Sequence, residues 1–315
     1  MPRRADRLAT AARVTFGRCA DAFLAAKESS WRNEKHRAQW AMTLQVYAGP
    51  LRQLPVAGIT TQDVLKVLQP LWQAKPETAS RLRGRIEAVL DSARVAGHIP
   101  EREPNPARWS GHLEMLLPAP AKLARGHHAA LAYIDIPAFM ARLGGQDGMA
   151  ALALKFLILT AARTGEALGA QWDEVDLQAK VWIVPAARMK SGREHRVPLS
   201  RPAIKILEKL NEARPCEFVF FGLKRGRPLS NMALEMLLRR MQADVTVHGF
   251  RSSFRDWCGD QTAFPREVAE AALAHVTGDK AELAYRRGDA LEKRRELMES
   301  WATFCGGAWD MPLDL

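Results

Sequence analysis

The sequence predicts a mainly α-helical protein of two domains, with one small β-hairpin sheet in the second. Three observations lead there. Its 315 residues, 47% hydrophobic and 26% charged, suffice for two soluble domains of ordinary size with buried cores. Apolar residues recur at three and four positions through most of the chain, the spacing of helices, and alternate as in strands only in short runs of the second half. Between the helical first hundred residues and the remainder lies a stretch of proline, glycine and charge that breaks all periodicity.

After a basic tail, residues 1–13, "TFGRCADAFLAAKES" and "WRNEKHRAQWAMTLQVYA" both carry the helical spacing. "ITTQDVLKVLQPLW" offers Thr61 as a cap before an apolar periodic run. "PETASRLRGRIEAVLDSARVAGHI" begins with a proline suited to a first turn and reaches Gly97 where a helix should stop. Four short helices thus make one bundle, residues 14–99. Residues 100–128 read as an interdomain linker with one short helix inside. In the second domain, residues 129–305, "IPAFMARLGG" and "MAALALKFLILTAARTGEALGAQW" are helical. "KVWIVPA" and "HRVPLS" alternate like strands around a turn, "MKSGRE", and "FVFFG" is a further short strand. "LSNMALEMLLRRM", "HGFRSSFRDWCGDQ", "PREVAEAALAH" and "ALEKRRELMESWATF" return to helix, and residues 306–315 form a tail.

The 46 Lys and Arg against 35 Asp and Glu give a net charge of +11, a balance suited to a polyanionic partner, above all nucleic acid. Residues 1–120 hold 18 basic and 11 acidic side chains, the longer remainder 28 and 24, so the first domain is the stronger clamp. On its last helix Arg81, Arg83, Arg85 and Arg94 are available to a phosphate backbone. Four cysteines without paired spacing argue against structural zinc and against a disulfide framework, which points to a reducing, cytoplasmic compartment. "MPRRADRLATAARV" has no apolar run behind it and is no signal peptide. The longest apolar stretch, Met149 to Ala162, is too short to span a bilayer and contains Lys155, so no membrane is expected. Nucleotide-binding and zinc-hydrolase signatures are missing, and His127–His128 lacks further ligands nearby.

Four weak patterns remain. "TAARTGEALGAQW" sets Glu166 three residues after Arg163. "ARMKSGREHRVPLS" puts Lys190 at the start of the hairpin turn. "HGFRSSFRDW" spaces His248 and Arg251 by three, and "AHVTGDKAELAYRRGD" places His275 ten residues before Tyr285, one of only three tyrosines. Taken singly, each has an ordinary structural explanation: an ion pair, a solvated turn lysine, a chance H-x-x-R, a half-buried aromatic beside charge.

Their order carries more. Arginine with a following glutamate, hairpin lysine, H-x-x-R, then histidine and tyrosine resembles the catalytic domain of tyrosine recombinases over residues 150–305, and residues 14–100 resemble the family's core-binding domain. The wording of "LTAARTGEALGAQWDEVDL", "RMKSGREHRVPLS", "HGFRSSFRDW" and "AYRRGDALEKRRELMESWA" is similar to phage and genomic-island integrases. The resemblance implies a site-specific recombinase that cuts and rejoins double-stranded DNA at attachment sites through a 3′-phosphotyrosyl intermediate. It further implies a homotetramer on DNA and, in some systems, an accessory DNA-bending or excision factor, with no metal, nucleotide or other cofactor. Arg163 and Arg251 are then the arginines bracketing the scissile phosphate, and Lys190 the residue that protonates the leaving 5′ oxygen. His248 and His275 hold the phosphate and assist proton transfer, Glu166 supports the site, and Tyr285 is the nucleophile. Arg286 and Arg287 match no catalytic position; His195 sits where such integrases often have histidine and reads as structural or DNA-facing. Many such integrases carry a further domain for arm-type sites ahead of the core-binding helices, whereas about a dozen residues precede the first helix here. The family's C-terminal segments dock on a neighbouring protomer, the role implied for "CGGAWDMPLDL" or the helix before it.

Two other readings are open. Asp173, Glu174 and Asp176 in "WDEVD" are candidate ligands for a metal-dependent nuclease, though two-metal cleavage needs acids from several elements. A catalytically decayed integrase-fold DNA-binding protein would keep the clamp, but every catalytic position is intact. Type IB topoisomerases and telomere resolvases share the chemistry, and the local wording favours an integrase.

Overall fold

The first helix starts where the Thr15 hydroxyl accepts the Arg18 backbone N–H at 3.3 Å, and α1 then runs Phe16–Glu28. The structure, a computed structural model, describes residues 14–31, 34–119, 129–224, 226–275 and 289–306. The chain divides into two compact units, Met1–Arg125 and Gly126–Leu315.

In the first unit α1 is followed by α2 (Glu34–Met42), which widens into a π-type turn at Thr43–Tyr47, by α3 (Thr61–Trp72) and by α4 (Pro76–Val95). Thr60, one residue before the expected Thr61, caps α3. Its hydroxyl accepts the Asp63 N–H while the Asp63 carboxylate takes the Thr60 N–H, a reciprocal capping box. Gly97 closes α4 in the left-handed region, φ +77°, as its position predicts. The core gathers Phe16, Leu44, Leu68, Leu82, Ile86 and Val89.

Residues 100–119, expected to begin a linker, pack on this bundle instead. Ala107, Leu113 and Leu117 are buried in its core, and Trp109 stacks on Trp72 with ring centres 5.5 Å apart. The Asn105 amide donates to the Glu87 carbonyl and the Asp91 carboxylate, and the Trp72 indole N–H to the Pro118 carbonyl at 2.9 Å. The one short helix expected here is a single 3₁₀ turn, Leu113–Met115.

The second unit is built around α6 (Met149–Thr160), which follows α5 (Ile136–Gly144). From Ala151 to Thr160 every α6 side chain is buried, the pattern of a helix surrounded by others. It ends at Ala161, whose φ of 49° is left-handed, so the long helix expected through this region breaks and α7 (Thr164–Leu168) starts afresh. Three antiparallel strands follow, β1 (Val175–Asp176), β2 (Val181–Val184) and β3 (His195–Pro198), in the order β1-β2-β3 with Val184 opposite His195. "FVFFG" joins no strand of this sheet; Phe218 and Phe221 make isolated bridges to Gln171 and Pro228. Helix α8 (Arg201–Ala213), not anticipated above, is followed by α9 (Asn231–Arg240), α10 (Gly249–Gln261), α11 (Arg266–Ala272) and α12 (Leu291–Cys305). Trp257, Trp301 and Phe304 pack ring against ring, and the Trp301 indole N–H donates to the Ile158 carbonyl of α6 at 2.8 Å. No helix among the described residues is long and apolar enough to cross a membrane.

Candidate active site

Four of the seven residues singled out meet at the junction of α7, α10 and α11. Arg163 is the extended residue just ahead of α7, and Glu166 lies in that helix's first turn. The Glu166 carboxylate accepts both the Arg163 backbone N–H at 3.0 Å and its guanidinium at 2.8 Å. The i, i+3 spacing read from the sequence is therefore realised as a cap on a five-residue helix. With one side held by Glu166, the Arg163 fork reaches the carbonyls of Leu273 at 3.4 Å and Ala274 at 3.3 Å.

Arg251, in the first turn of α10 and 5% exposed, reaches the same Leu273 carbonyl. Its Nη2 donates to Leu273 at 2.7 Å, its Nη1 donates to the Ala161 carbonyl, and the His275 Nε2 lies 3.3 Å away. Burial, then the neighbouring Arg163 charge, lowers the Arg251 pKa to about 10 against the pull of Glu166, so it remains a cation at neutral pH. Two of the three carbonyls that accept from these arginines, those of Ala161 and Ala274, belong to left-handed alanines with φ of 49° and 50°. The kinks turn the ends of α6 and α11 towards the arginines.

His275 is fixed from behind. Its Nδ1 lies 2.7 Å from the Glu270 carboxylate, and Glu270 also takes the Arg255 Nε at 2.6 Å. Sequence reasoning did not single out Glu270 or Arg255; the only signal was the Arg266–Glu270 spacing of an ion pair, here a contact of 3.7 Å. His195, at the start of β3, reads as structural. Burial first, then Arg294, depresses its pKa to about 4, with Glu166 and the Ala272 backbone opposing and Arg163 adding to the fall. It is a neutral ring near the arginines.

His248 occupies the position before α10 and is exposed, and the Arg251 backbone N–H donates to its carbonyl at 3.1 Å. Lys190 is exposed on the turn after Met189 and makes no hydrogen bond to the cluster among the described residues. Tyr285, Arg286 and Arg287 lie outside the described residues, as do His127–His128 and the tail after Gly306. Asp289, four residues beyond Tyr285, is described and firmly held. Its carboxylate pairs with Arg196 of β3 at 2.6 Å and with Arg294 of α12 at 2.6 Å, and Arg294 is 1% exposed.

Of the DNA-facing candidates in the first unit, Arg81 is exposed and paired with Glu77, and Arg83 is shared between Glu87 and the Ala107 carbonyl. Arg85 points inward, a correction to the expectation that it meets a phosphate backbone. It lies over the Trp40 ring, 5.0 Å from its centre, and donates to the Gln39 carbonyl and the Thr43 hydroxyl. Glu174 of "WDEVD" is likewise occupied, accepting from the Trp182 indole at 3.0 Å and from Arg188 at 2.9 Å.

Comparison with known proteins places the chain in a family. The sequence pattern of the phage integrase central domain matches residues 16–112, and that of the phage integrase family matches residues 135–289. Prophage integrase IntA of Escherichia coli (strain K12) is 40% identical over 149 residues, 46% of this chain and 36% of its own length. Prophage integrase IntZ of the same strain is 30% identical over 293 residues, 91% of this chain and 70% of its own length. The chain thus spans from about a third to seven tenths of these relatives. A lambda integrase tetramer bound to a Holliday junction has the same fold, with a TM-score of 0.64 at 18% identity over 86% of this chain and 77% of that one. Since the two patterns fall in order on the two units, and a relative at 30% identity runs beside nearly the whole sequence, this chain belongs to the phage integrase family.

Proposed function

We propose that this protein is a site-specific DNA recombinase that cleaves and rejoins double-stranded DNA through a covalent 3′-phosphotyrosyl intermediate, integrating or excising a mobile element. Attack on a phosphodiester adds negative charge to the phosphoryl oxygens in the transition state, and fixed cationic donors stabilise it where it develops. Arg163 and Arg251 supply two such cations, each held in place by the groups it bonds, Glu166 with the Leu273 and Ala274 carbonyls for one and the Ala161 and Leu273 carbonyls for the other. Glu166 holds Arg163. His275 and His248 bind the phosphate and move protons, and Lys190 protonates the 5′ oxygen as it leaves.

Tyr285 is the nucleophile in this reading. A tyrosine of reference pKa near 10 is ionised to about one part in a thousand at pH 7, so a base or a cationic setting must make up roughly 4 kcal/mol. The phosphotyrosyl ester conserves the energy of the broken DNA bond, and a 5′ hydroxyl can attack it to reseal the strand. No nucleotide or metal enters that cycle. By likeness to the lambda integrase tetramer, four copies act on two duplexes.

The observation that carries the reading is the convergence of Arg163 and Arg251 on one carbonyl, with Glu166 and His275 in the same cluster. Nicked suicide duplexes taken from the flanking genomic DNA test it. A covalent protein–DNA adduct formed in excess chelator, and lost in Tyr285→Phe, is the expected result. An adduct that persists in Tyr285→Phe overturns the assignment, and DNA binding without any adduct favours a decayed enzyme.

A further inference from the structure

Glu270 is a carboxylate 7% exposed on α11, and burying such a charge costs several kcal/mol unless its oxygens are well satisfied. Here both are. Oε1 accepts from Arg255 and Oε2 faces the Nδ1 of His275, while the Glu270 carbonyl accepts the His275 backbone N–H at 2.9 Å. Burial alone would raise its pKa, but the hydrogen bonds from His275 and Arg255, with the charge of Arg255, outweigh that and hold it below the usual carboxylate value. It is an anion whenever the protein is folded near neutral pH.

The partners of His275 leave it little choice of tautomer. An ionised carboxylate can only accept, so the proton it shares with the ring belongs to Nδ1. A guanidinium can only donate, so the neutral ring turns the Nε2 lone pair to Arg251, 3.3 Å away. Both constraints come from one helix: Arg251 and Arg255 are a single turn apart on α10, one meeting the ring edge and the other steadying the carboxylate behind it. The Arg255 pair ties α10 to α11, and the second oxygen, which burial also requires to be satisfied, is met by the histidine ring.

We infer that Glu270 is a positioning residue for strand cleavage, its carboxylate locking His275 in the Nδ1–H form so that the Nε2 lone pair, beside Arg251, is the edge able to take up a proton at the reacting centre. This rests on the recombinase reading above. The lock acts before any DNA arrives, and it removes the need for the ring to turn or exchange its proton during the reaction.

The test uses the full-length protein and two readouts. Long-range proton–nitrogen NMR of the imidazoles, with the His275 signals identified by their loss in His275→Gln, reports the tautomer directly. Single-turnover adduct formation on the nicked duplex, with protein saturating and DNA affinity measured separately, reports the chemistry. The wild type is expected to show the Nδ1–H signature. Glu270→Ala should lose that signature and form adduct about 10- to 100-fold more slowly at unchanged DNA affinity, the scale on which orienting partners of functional histidines act. Glu270→Gln, whose amide oxygen can still accept from Nδ1, should restore both in large part and keeps the test valid if the alanine variant folds poorly. An Nε2–H ring in the wild type, or wild-type cleavage by Glu270→Ala, overturns the inference. Slow cleavage with the Nδ1–H signature intact overturns it too. Failure of the wild type to form any adduct sinks the recombinase reading instead, which the spectrum alone does not touch.

Discussion

Arg251 combines burial with charge, and its two carbonyl partners, on Ala161 and Leu273, come from different elements. A lysine ammonium cannot span both while offering a planar edge to an anion. Arg251→Lys should therefore slow adduct formation roughly 100-fold, about 3 kcal/mol of transition-state stabilisation; single-turnover rates within a factor of three of wild type would contradict it. His195 makes a prediction of a different kind. Its folded pKa of about 4 lies below the unfolded value near 6.5, so the unfolded chain takes up a proton that the folded ring refuses. This contribution to stability is complete above about pH 6.5 and fades as the pH falls towards 4. Urea unfolding of His195→Gln between pH 7 and pH 4.5 should show a shallower loss of stability than the wild type; parallel curves would refute the assignment. At this scale the sequence was most legible where partners lie close along the chain, as in Arg163 and Glu166. Glu270 went unnoticed because its meaning depends on how α11 packs against α10. Arg85 misled because it shares a helix face with Leu82, Ile86 and Val89, and a basic side chain does not announce which way it turns.

At the level of elements, the placing of α10 depends on a residue with no side chain. A Cβ on Gly249 would collide with the backbone of Ala129 and Ala130, which passes across the helix start, and the Thr246 N–H donates to the same Ala129 carbonyl at 2.8 Å. Gly249→Ala should cost roughly 1–3 kcal/mol by overpacking and displace His248 and Arg251 together. Urea unfolding checks the first effect and adduct formation the second, and a variant as stable and as fast as wild type would show that the crossing backbone at Ala129 and Ala130 gives way freely. Most helices could be read from apolar spacing. The break after α6 could not, because the left-handed residue is Ala161 and alanine carries none of glycine's warning. Helix α8 has Ala203, Ile206, Leu207 and Leu210 on one buried face, a stripe at the helical spacing of three and four. "FVFFG" failed as a strand because periodicity cannot tell a sheet strand from a short buried segment that bridges a loop.

For the whole molecule, two units and their order could be read from composition, since the charge excess, the helical spacing and the proline-rich break all change together. The edge of the first unit could not. Loss of periodicity signals irregular backbone, and irregular backbone can still be packed, as Ala107, Leu113 and Leu117 are. Those two leucines alone contribute roughly 3–6 kcal/mol of burial, against a total of about 5–15 kcal/mol for a typical domain. The seam therefore decides where the polypeptide can be divided. A fragment stopping at residue 99 would expose the Leu113 and Leu117 sockets and strand the Trp72 indole without the Pro118 oxygen. One ending at residue 125 should melt cooperatively on its own, while the shorter piece should be unfolded or aggregated by circular dichroism and light scattering.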